Sequence, residues 1–406
     1  MVSTKSSIKK PLHTASILDS AQDGRPLSAQ EALHLLELTD SNDLALLRKT
    51  AGEVARRQTP VPVLPGFSCS LYLTNLCELQ PSIYPYPKQP GQSGAYTLTI
   101  DDIDAVLELC GPQKGFLTVS GGGFWSALSI PGLEKNGLLK TYAHLLNHIR
   151  EKCPNIRISG FSPDEVEFLS IVSSRSPRYI LELLKDHGLE TLGSHPAGLL
   201  VSSVRKKISP KLQPIKDWLE LAQMAAQLGI PTLLGGELGH VETLADRVQH
   251  LLRVRELLQA HAAAQSETPI FAQVRTHMLN CNSAARTDWP GLKHASAQDR
   301  FKWLALRRIL LGQWIPVQQS FWQIDSADPL DEASEGLSWG ANTLGNTDSL
   351  CHASFLLDSQ PKNRLFPHFT QAELQSRQAE AFDAPQVTTP SLAGKSGAAK
   401  SPGRGF

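Results

Sequence analysis

The sequence predicts an α/β protein in which parallel strands and covering helices close into a barrel. Three observations predict it. Short apolar runs alternate with amphipathic stretches of helical period, a β-α-β-α order repeated about eight times. Crossovers between parallel strands are right-handed, so such a repeat curls its sheet into a barrel. At 406 residues and 41% hydrophobic, the chain is long enough to bury one large core with small extensions.

Taken in order, residues 1–26 are polar, lack periodicity and are expected to be disordered. Ordered structure is expected to begin at Ser28, whose hydroxyl can cap a helix while Glu31 reaches back, the capping-box pattern. A helical pair or one long helix then fills an N-terminal segment, 27–58. The barrel is assigned to 59–358, with strands expected over 70–73, 115–120, 156–159, 191–194, 231–234, 269–274, 315–319 and 337–339. Helices between them are expected over 100–110, 139–152, 218–228, 243–261 and 299–311. A C-terminal extension, 359–406, turns rich in Pro, Ser, Gly, Ala and Lys from about residue 384, a composition that predicts disorder.

The 39 basic and 39 acidic residues cancel, so no overall field draws the chain to nucleic acid or to an anionic membrane. No apolar run approaches the roughly 20 residues of a membrane span, and a cytoplasmic location is expected. The six cysteines (Cys69, Cys77, Cys110, Cys153, Cys281, Cys351) are widely spaced without a disulfide framework and read as free thiols of a reducing compartment.

Barrel chemistry lies on the loops that follow the strands. Those loops are 75–86, 121–125, 160–163, 194–196, 235–242, 275–283, 320–323 and 340–346. Gly121, Gly122 and Gly123 allow backbone to approach a ligand, because glycine lacks Cβ and tolerates positive φ. The stretch from Gly160 to Val166 has a structural explanation: Ser162 as N-cap, Pro163 at the first helical position and Glu165 completing a capping box. Gly239, His240 and Glu242 fall in a glycine-rich charged loop suited to a ligand, although Glu242 could merely favour the following helix's N-terminus. His195, His240, His277 and Cys281 share this face, but only His277 and Cys281 have a compact spacing, and hydrogen-bonded or surface histidines are the preferred reading.

The stretch Thr74-Asn75-Leu76-Cys77-Glu78-Leu79-Gln80-Pro81-Ser82-Ile83-Tyr84-Pro85-Tyr86 resembles the cluster loop of radical S-adenosylmethionine (SAM) enzymes, Cys-x3-Cys-x2-Cys-x-aromatic. Cys77 and Tyr86 fit it; Pro81 and Tyr84 stand at the second and third cysteine positions. Pro90-Gly91-Gln92, the motifs at 161–166, 184–189, 208–211, 239–243 and 340–345, and the opening 27–33 resemble the deazaflavin (FO) synthase and futalosine-pathway menaquinone branch. That resemblance implies a radical SAM-like (β/α) barrel, a 4Fe-4S cluster and SAM. It also implies that Gly121 to Gly123 contact the SAM amino group and that the 235–242 segment lines the SAM and substrate cavity. A small-molecule ligand, and a protein partner related to deazaflavin or menaquinone biosynthesis enzymes, are implied too.

The sequence departs from the family where that chemistry would sit. Clusters are held by soft thiolates, whereas proline offers no donor and tyrosine a hard phenol that ionises near pH 10. Pro196-Ala197-Gly198 replaces an Ala-Ala-Glu type sequence, and Thr343 replaces an acid. The expected function is a binding, scaffolding or regulatory homologue in which Cys77 is the remnant of a three-thiol site. The alternative is an active radical SAM enzyme with unconventional ligation, through Cys77 with Cys281, His240 or a partner chain. A third reading is a barrel that binds SAM or a flavin-like ligand without cleaving it.

Overall fold

The computed structural model describes residues 12–60, 63–64, 66–79, 87–110, 114–133, 137–194, 198–264, 267–278, 295–321, 329–345 and 371–382. Strands β1 (Phe67–Tyr72), β2 (Gly115–Ser120), β3 (Ile156–Gly160), β4 (Leu189–Leu192), β5 (Thr232–Leu234) and β7 (Phe271–Val274) form one sheet in that order. All five of its pairings are parallel. Isolated parallel bridges Val274↔Gln318 and Gln319↔Thr343 carry it two rungs further. Two short strands, β6 (Glu237–Leu238) and β8 (His277–Met278), pair beyond the ends of β5 and β7.

The helices fall largely where periodicity places them. They are α1 (Thr14–Gln22), α2 (Ala29–Glu37), α3 (Ser41–Gln58), α4 (Ile100–Cys110), α5 (Leu138–Lys152), α6 (Pro163–Ser173), α7 (Pro177–Asp186), α8 (Ser202–Ile208), α9 (Ile215–Gln227), α10 (Leu244–Ala263), α11 (Ala297–Leu311), α12 (Pro329–Ser338) and α13 (Gln371–Phe382). Both expected capping boxes form: Ser28 with Glu31 and Ser162 with Glu165. A third, Thr243 with Asp246, starts α10.

Two expectations need correction. The N-terminal tail is ordered over α1, because Ile17 and Leu18 bury themselves in the core, two apolar anchors too few to register as a period. The strand expected over 337–339 is the end of α12, where Trp339 Nε1 donates to Glu335 Oε1 four residues back (3.0 Å). Short apolar runs do not distinguish strand from helix end, and the rung comes at Thr343 instead. The composition-based disorder from about 384 lies outside the described residues.

The core has two parts. One joins β1–β4 to α4–α7 through residues such as Leu71, Leu117, Leu146 and Ile158. The other joins the later strands to α1–α3 and α8–α11 through Leu35, Leu200, Leu251 and Trp303. Lys302 Nζ donates to Leu38 O (3.1 Å) and Arg255 Nη1 to Leu27 O (2.8 Å), which ties the N-terminal helices to the barrel. Among the described residues, no helix is long and apolar enough to cross a membrane.

Candidate functional site

Cys77 is half-buried in a loop built from backbone bonds. Its N–H donates to Lys88 O (3.3 Å), and Gln89 Nε2 donates to its carbonyl (2.8 Å). Asn75 bridges to the next segment, donating from Nδ2 to Gly94 O (2.8 Å) and accepting from Tyr96 N (2.9 Å). Glu78 N donates to Phe124 O (2.9 Å), and its Oε1 accepts from both Ser126 N (2.8 Å) and Ser126 Oγ (2.5 Å). Lys211, from the 208–211 motif, donates to Glu78 O (3.0 Å). The structure therefore brings the cysteine loop, the glycine loop and the 208–211 segment together. Pro81, Tyr84, Tyr86, His195 and Cys281 lie outside the described residues.

Each residue of the glycine run has a steric reason for being glycine. Gly121 (φ +72°) has Thr74 O where a Cβ would lie, 2.4 Å away. Gly122 (φ +86°) sits against Leu128, and a Cβ on Gly123 would come within 2.1 Å of Glu165 Oε1. The space beside Gly123 is thus filled by a carboxylate from the start of α6. Burial pushes the Glu165 carboxyl above its ordinary range. Beneath it the Tyr142 hydroxyl is buried without a hydrogen-bond partner and is itself pushed well up, by burial first and by Glu165 second. Phe161, edge-on to Tyr142 with ring centroids 4.8 Å apart, holds a positive φ of 54° at the end of β3, the kind of local strain that collects at functional loops.

The loop from Gly235 to Thr243 closes on itself. Glu242 Oε1 accepts from Gly239 N (2.8 Å), Arg247 Nη2 (2.7 Å) and Arg247 Nε (3.1 Å), while Oε2 accepts from His240 N (2.9 Å). Burial opposes the carboxylate, but His240, Arg247 and the two backbone donors hold its pKa below the ordinary range. His240 is fully buried, with Nε2 2.8 Å from Glu237 O and Nδ1 accepting from Val241 N (2.7 Å). Nδ1 also lies 3.0 Å from Glu242 Oε2, and burial lowers the ring's pKa against the opposing pull of that carboxylate. Both side chains are spent on shaping the loop, and Gly239, at φ +85°, is itself held by its N–H bond to Glu242.

Beside this loop lies a cavity of about 10 Å³, room for roughly one water, lined by Gly235, Gly236, His250, Thr276, Trp303 and Arg307 among others. Arg307 is 0% exposed. Its guanidinium donates to Thr276 Oγ1 (2.8 Å), Gln318 Oε1 (3.1 Å) and Gln319 O (2.6 Å), all uncharged. Burial and the neighbouring Arg308 push its pKa down to about 9. His250 stacks on Trp303, accepts from Leu200 N through Nδ1 (3.1 Å), and is pushed by burial down to about 3, so it stays neutral. Sequence reasoning missed Arg307, His250, Trp303, Arg247 and Tyr142. The one available signal was that Trp303 and Arg307, four apart on α11, share a helix face.

No protein-family model matches the chain. It is 30% identical over 359 residues to the 5-amino-6-(D-ribitylamino)uracil--L-tyrosine 4-hydroxyphenyl transferase of Microcystis aeruginosa (strain NIES-843 / IAM M-2473), covering 85% of this chain and 89% of that one. This chain belongs to that transferase family. The enzyme of the same name from Synechococcus elongatus (strain ATCC 33912 / PCC 7942 / FACHB-805) is 29% identical over 343 residues, 82% of this chain and 85% of that one. Among solved structures, methylornithine synthase (PylB) superposes with a TM-score of 0.60 at 14% identity, over 89% of this chain and 99% of its own. The FeFe-hydrogenase maturase HydG from Carboxydothermus hydrogenoformans does so with 0.58 at 15% identity, over 90% and 77%. The fold is that of the radical SAM barrels, a parallel α/β barrel carrying its loops on one face.

Iron-sulfur clusters are held by cysteine thiolates. Between residues 74 and 86 the sequence has one cysteine, Cys77, and Pro81 and Tyr84 lie outside the described residues. Cys69, Cys110 and Cys153 are buried in the core around β1, α4 and α5 instead. Among the described residues, no three His, Cys, Asp or Glu side chains are grouped to hold a metal ion.

Proposed function

We propose that this member of the hydroxyphenyl transferase family keeps the radical SAM barrel and its ligand-facing loops but not a three-thiolate cluster, and acts as a binding, scaffolding or regulatory homologue in FO synthase-type chemistry. The observation that carries this reading is the pair Pro81 and Tyr84 at the positions of two cluster cysteines. Neither side chain supplies a soft, readily ionised donor at neutral pH. Support comes also from the loop itself: protein groups bond to the backbone of Asn75, Cys77 and Glu78, so its framework rests on contacts this chain provides. The relatives are named for joining the 4-hydroxyphenyl group of L-tyrosine to 5-amino-6-(D-ribitylamino)uracil. A homologue that bound either compound, or SAM, without reacting could regulate that step or present its ligand to an active partner.

The test is iron and acid-labile sulfide quantification after anaerobic reconstitution. The expected result is less than one iron per chain and no cluster absorbance; about four irons, lost on Cys77→Ala, overturn the proposal. Identity across most of the chain favours a second reading, an active enzyme with unconventional cluster ligands. Its signature is reductant-dependent release of 5'-deoxyadenosine from SAM, and absence of that product beside a working relative removes it. SAM binding without cleavage is measured by calorimetry, with no 5'-deoxyadenosine formed from the bound SAM.

A further inference from the structure

We infer that the cleft between the α1–α2 turn, the end of α3, α10 and the end of α11 is a second ligand site, one that takes a small sugar phosphate. The site is independent of the proposed function and lies apart from the Cys77, glycine and 235–243 loops. Gln58 ends α3, which leads into β1, and Trp314 follows α11, which leads to the rung at Gln318. The cleft therefore sits at the end of the barrel where strands begin, whereas those loops follow the strands. Its volume is about 260 Å³, close to the lower end of the roughly 300–1,000 Å³ usual for small-molecule sites.

Three arginines line the cleft, Arg25, Arg57 and Arg255, and no acidic side chain does. Arg25 is already neutralised, with Glu31 Oε1 2.6 Å from its Nη2. The other two are not. Arg57 is exposed at the end of α3, and among the described residues no carboxylate pairs with it. Arg255 spends Nη1 on Leu27 O (2.8 Å), while its Nε is buried without a hydrogen-bond partner. Burial pushes its pKa down, against the pull of the adjacent Glu256. A phosphate monoester carries about −1.5 to −2 charges at neutral pH, which matches two unneutralised guanidinium groups better than one carboxylate does. Around these cations stand four glutamine amides. Gln22 Nε2 is taken by Glu53 Oε2 (2.9 Å) and Gln58 Oε1 by Arg308 Nη1 (3.4 Å), which leaves Gln22 Oε1, Gln58 Nε2 and the amides of Gln259 and Gln313 for hydroxyl groups. Leu310 and the half-buried Trp314 supply an apolar wall. A short polyhydroxylated body ending in one phosphate has the matching parts.

Calorimetric titration of the full chain with ribose 5-phosphate, ribose and sodium phosphate tests this. Ribose 5-phosphate is expected to bind saturably with a Kd below about 1 mM, and ribose and inorganic phosphate each at least about tenfold more weakly. Arg57→Gln and Arg255→Gln should each weaken ribose 5-phosphate at least about tenfold, and Arg255→Lys should keep part of the affinity. Arg178→Gln, on the exposed side of α7, should leave it unchanged. Thermal melts establish that each variant is folded, and Arg57→Gln alters an exposed side chain, so it carries the test should Arg255→Gln fail to fold. Absence of saturable ribose 5-phosphate binding, equal affinity for ribose or for phosphate alone, or affinity that survives the arginine-to-glutamine variants each overturns the inference. Iron content is measured separately, so failure here is distinguishable from failure of the proposed function.

Discussion

The two parts of the barrel core are built from different materials. Around β1–β4, side chains such as Leu71, Leu117, Ile158 and Leu192 bury themselves against α4–α7, and β1, β2 and β3 pair in long parallel registers, the first shift coming at β3–β4. Around β5–β8, strands are short, the β5–β7 register shifts, and the interior contains Glu242, Arg247, His250, Arg307 and Arg308. The first is held by removal of apolar surface from water, worth about 25 cal/mol per Å². The second depends on polar groups that must each find a partner. An architecture of that kind fixes loop geometry tightly, but it is vulnerable at single bonds.

The largest effect should come from breaking the polar part at its most shared group. Glu242→Ala strips Arg247 and two backbone N–H groups of their acceptor and should cost about 3–5 kcal/mol in urea unfolding. A loss below about 1 kcal/mol would show that the loop is not held by this carboxylate. Next, Leu71→Ala in the apolar part should cost about 2–5 kcal/mol through lost burial and a cavity, without changing the pH dependence.

That pH dependence distinguishes the two parts further. His250 titrates at about 3 in the folded chain, below its ordinary value, so the unfolded chain binds a proton that the folded chain refuses. Stability should therefore be full above about pH 6.5 and decline as the pH falls towards about 3, by about 2–3 kcal/mol between pH 6.5 and 4.5. Urea melts of His250→Gln should show a shallower decline than the parent; parallel curves would remove His250 as the cause. The smallest effect is expected at the glycine run. Gly123→Ala drives a methyl into Glu165 and should cost about 1–3 kcal/mol, most of it recovered in the double variant with Glu165→Ala. Simple additivity would mean that the two residues do not compete for that space.

Sequence patterning exposed the apolar part far better than the polar one. β2 and α4 lie where periodicity places them, and Ser28, Glu31, Ser162 and Glu165 announce their capping boxes by spacing alone. Arg308 gave no such signal, and Arg307 only its spacing from Trp303. Two adjacent arginines on an amphipathic helix read as its wet face; in the fold both are buried, Arg307 against Thr276, Gln318 and Gln319, and Arg308 against Gln58, Pro316 and Gly340. His240 and Glu242 were legible as a charged loop, but the Glu242 carboxylate's bonds to the His240 N–H and to Arg247 depend on the fold of that loop. The glycines at 121–123 suggested close approach of backbone to a ligand. Thr74, Leu128 and Glu165 stand where their Cβ atoms would lie, and no local pattern could have named three residues so distant in sequence.

The framework around Cys77 bears on how this protein matures. Its backbone is tied to Lys88, Gln89 and, through Glu78, to Phe124 and Ser126. On the proposed cluster-free reading, a loop braced in this way reaches its shape without an iron-loading step, and chain made in air matches chain made under anoxia in its protease-resistant fragments; a difference between the two preparations counts against that reading. On the same reading, storage lifetime is set by the thiol's own oxidation.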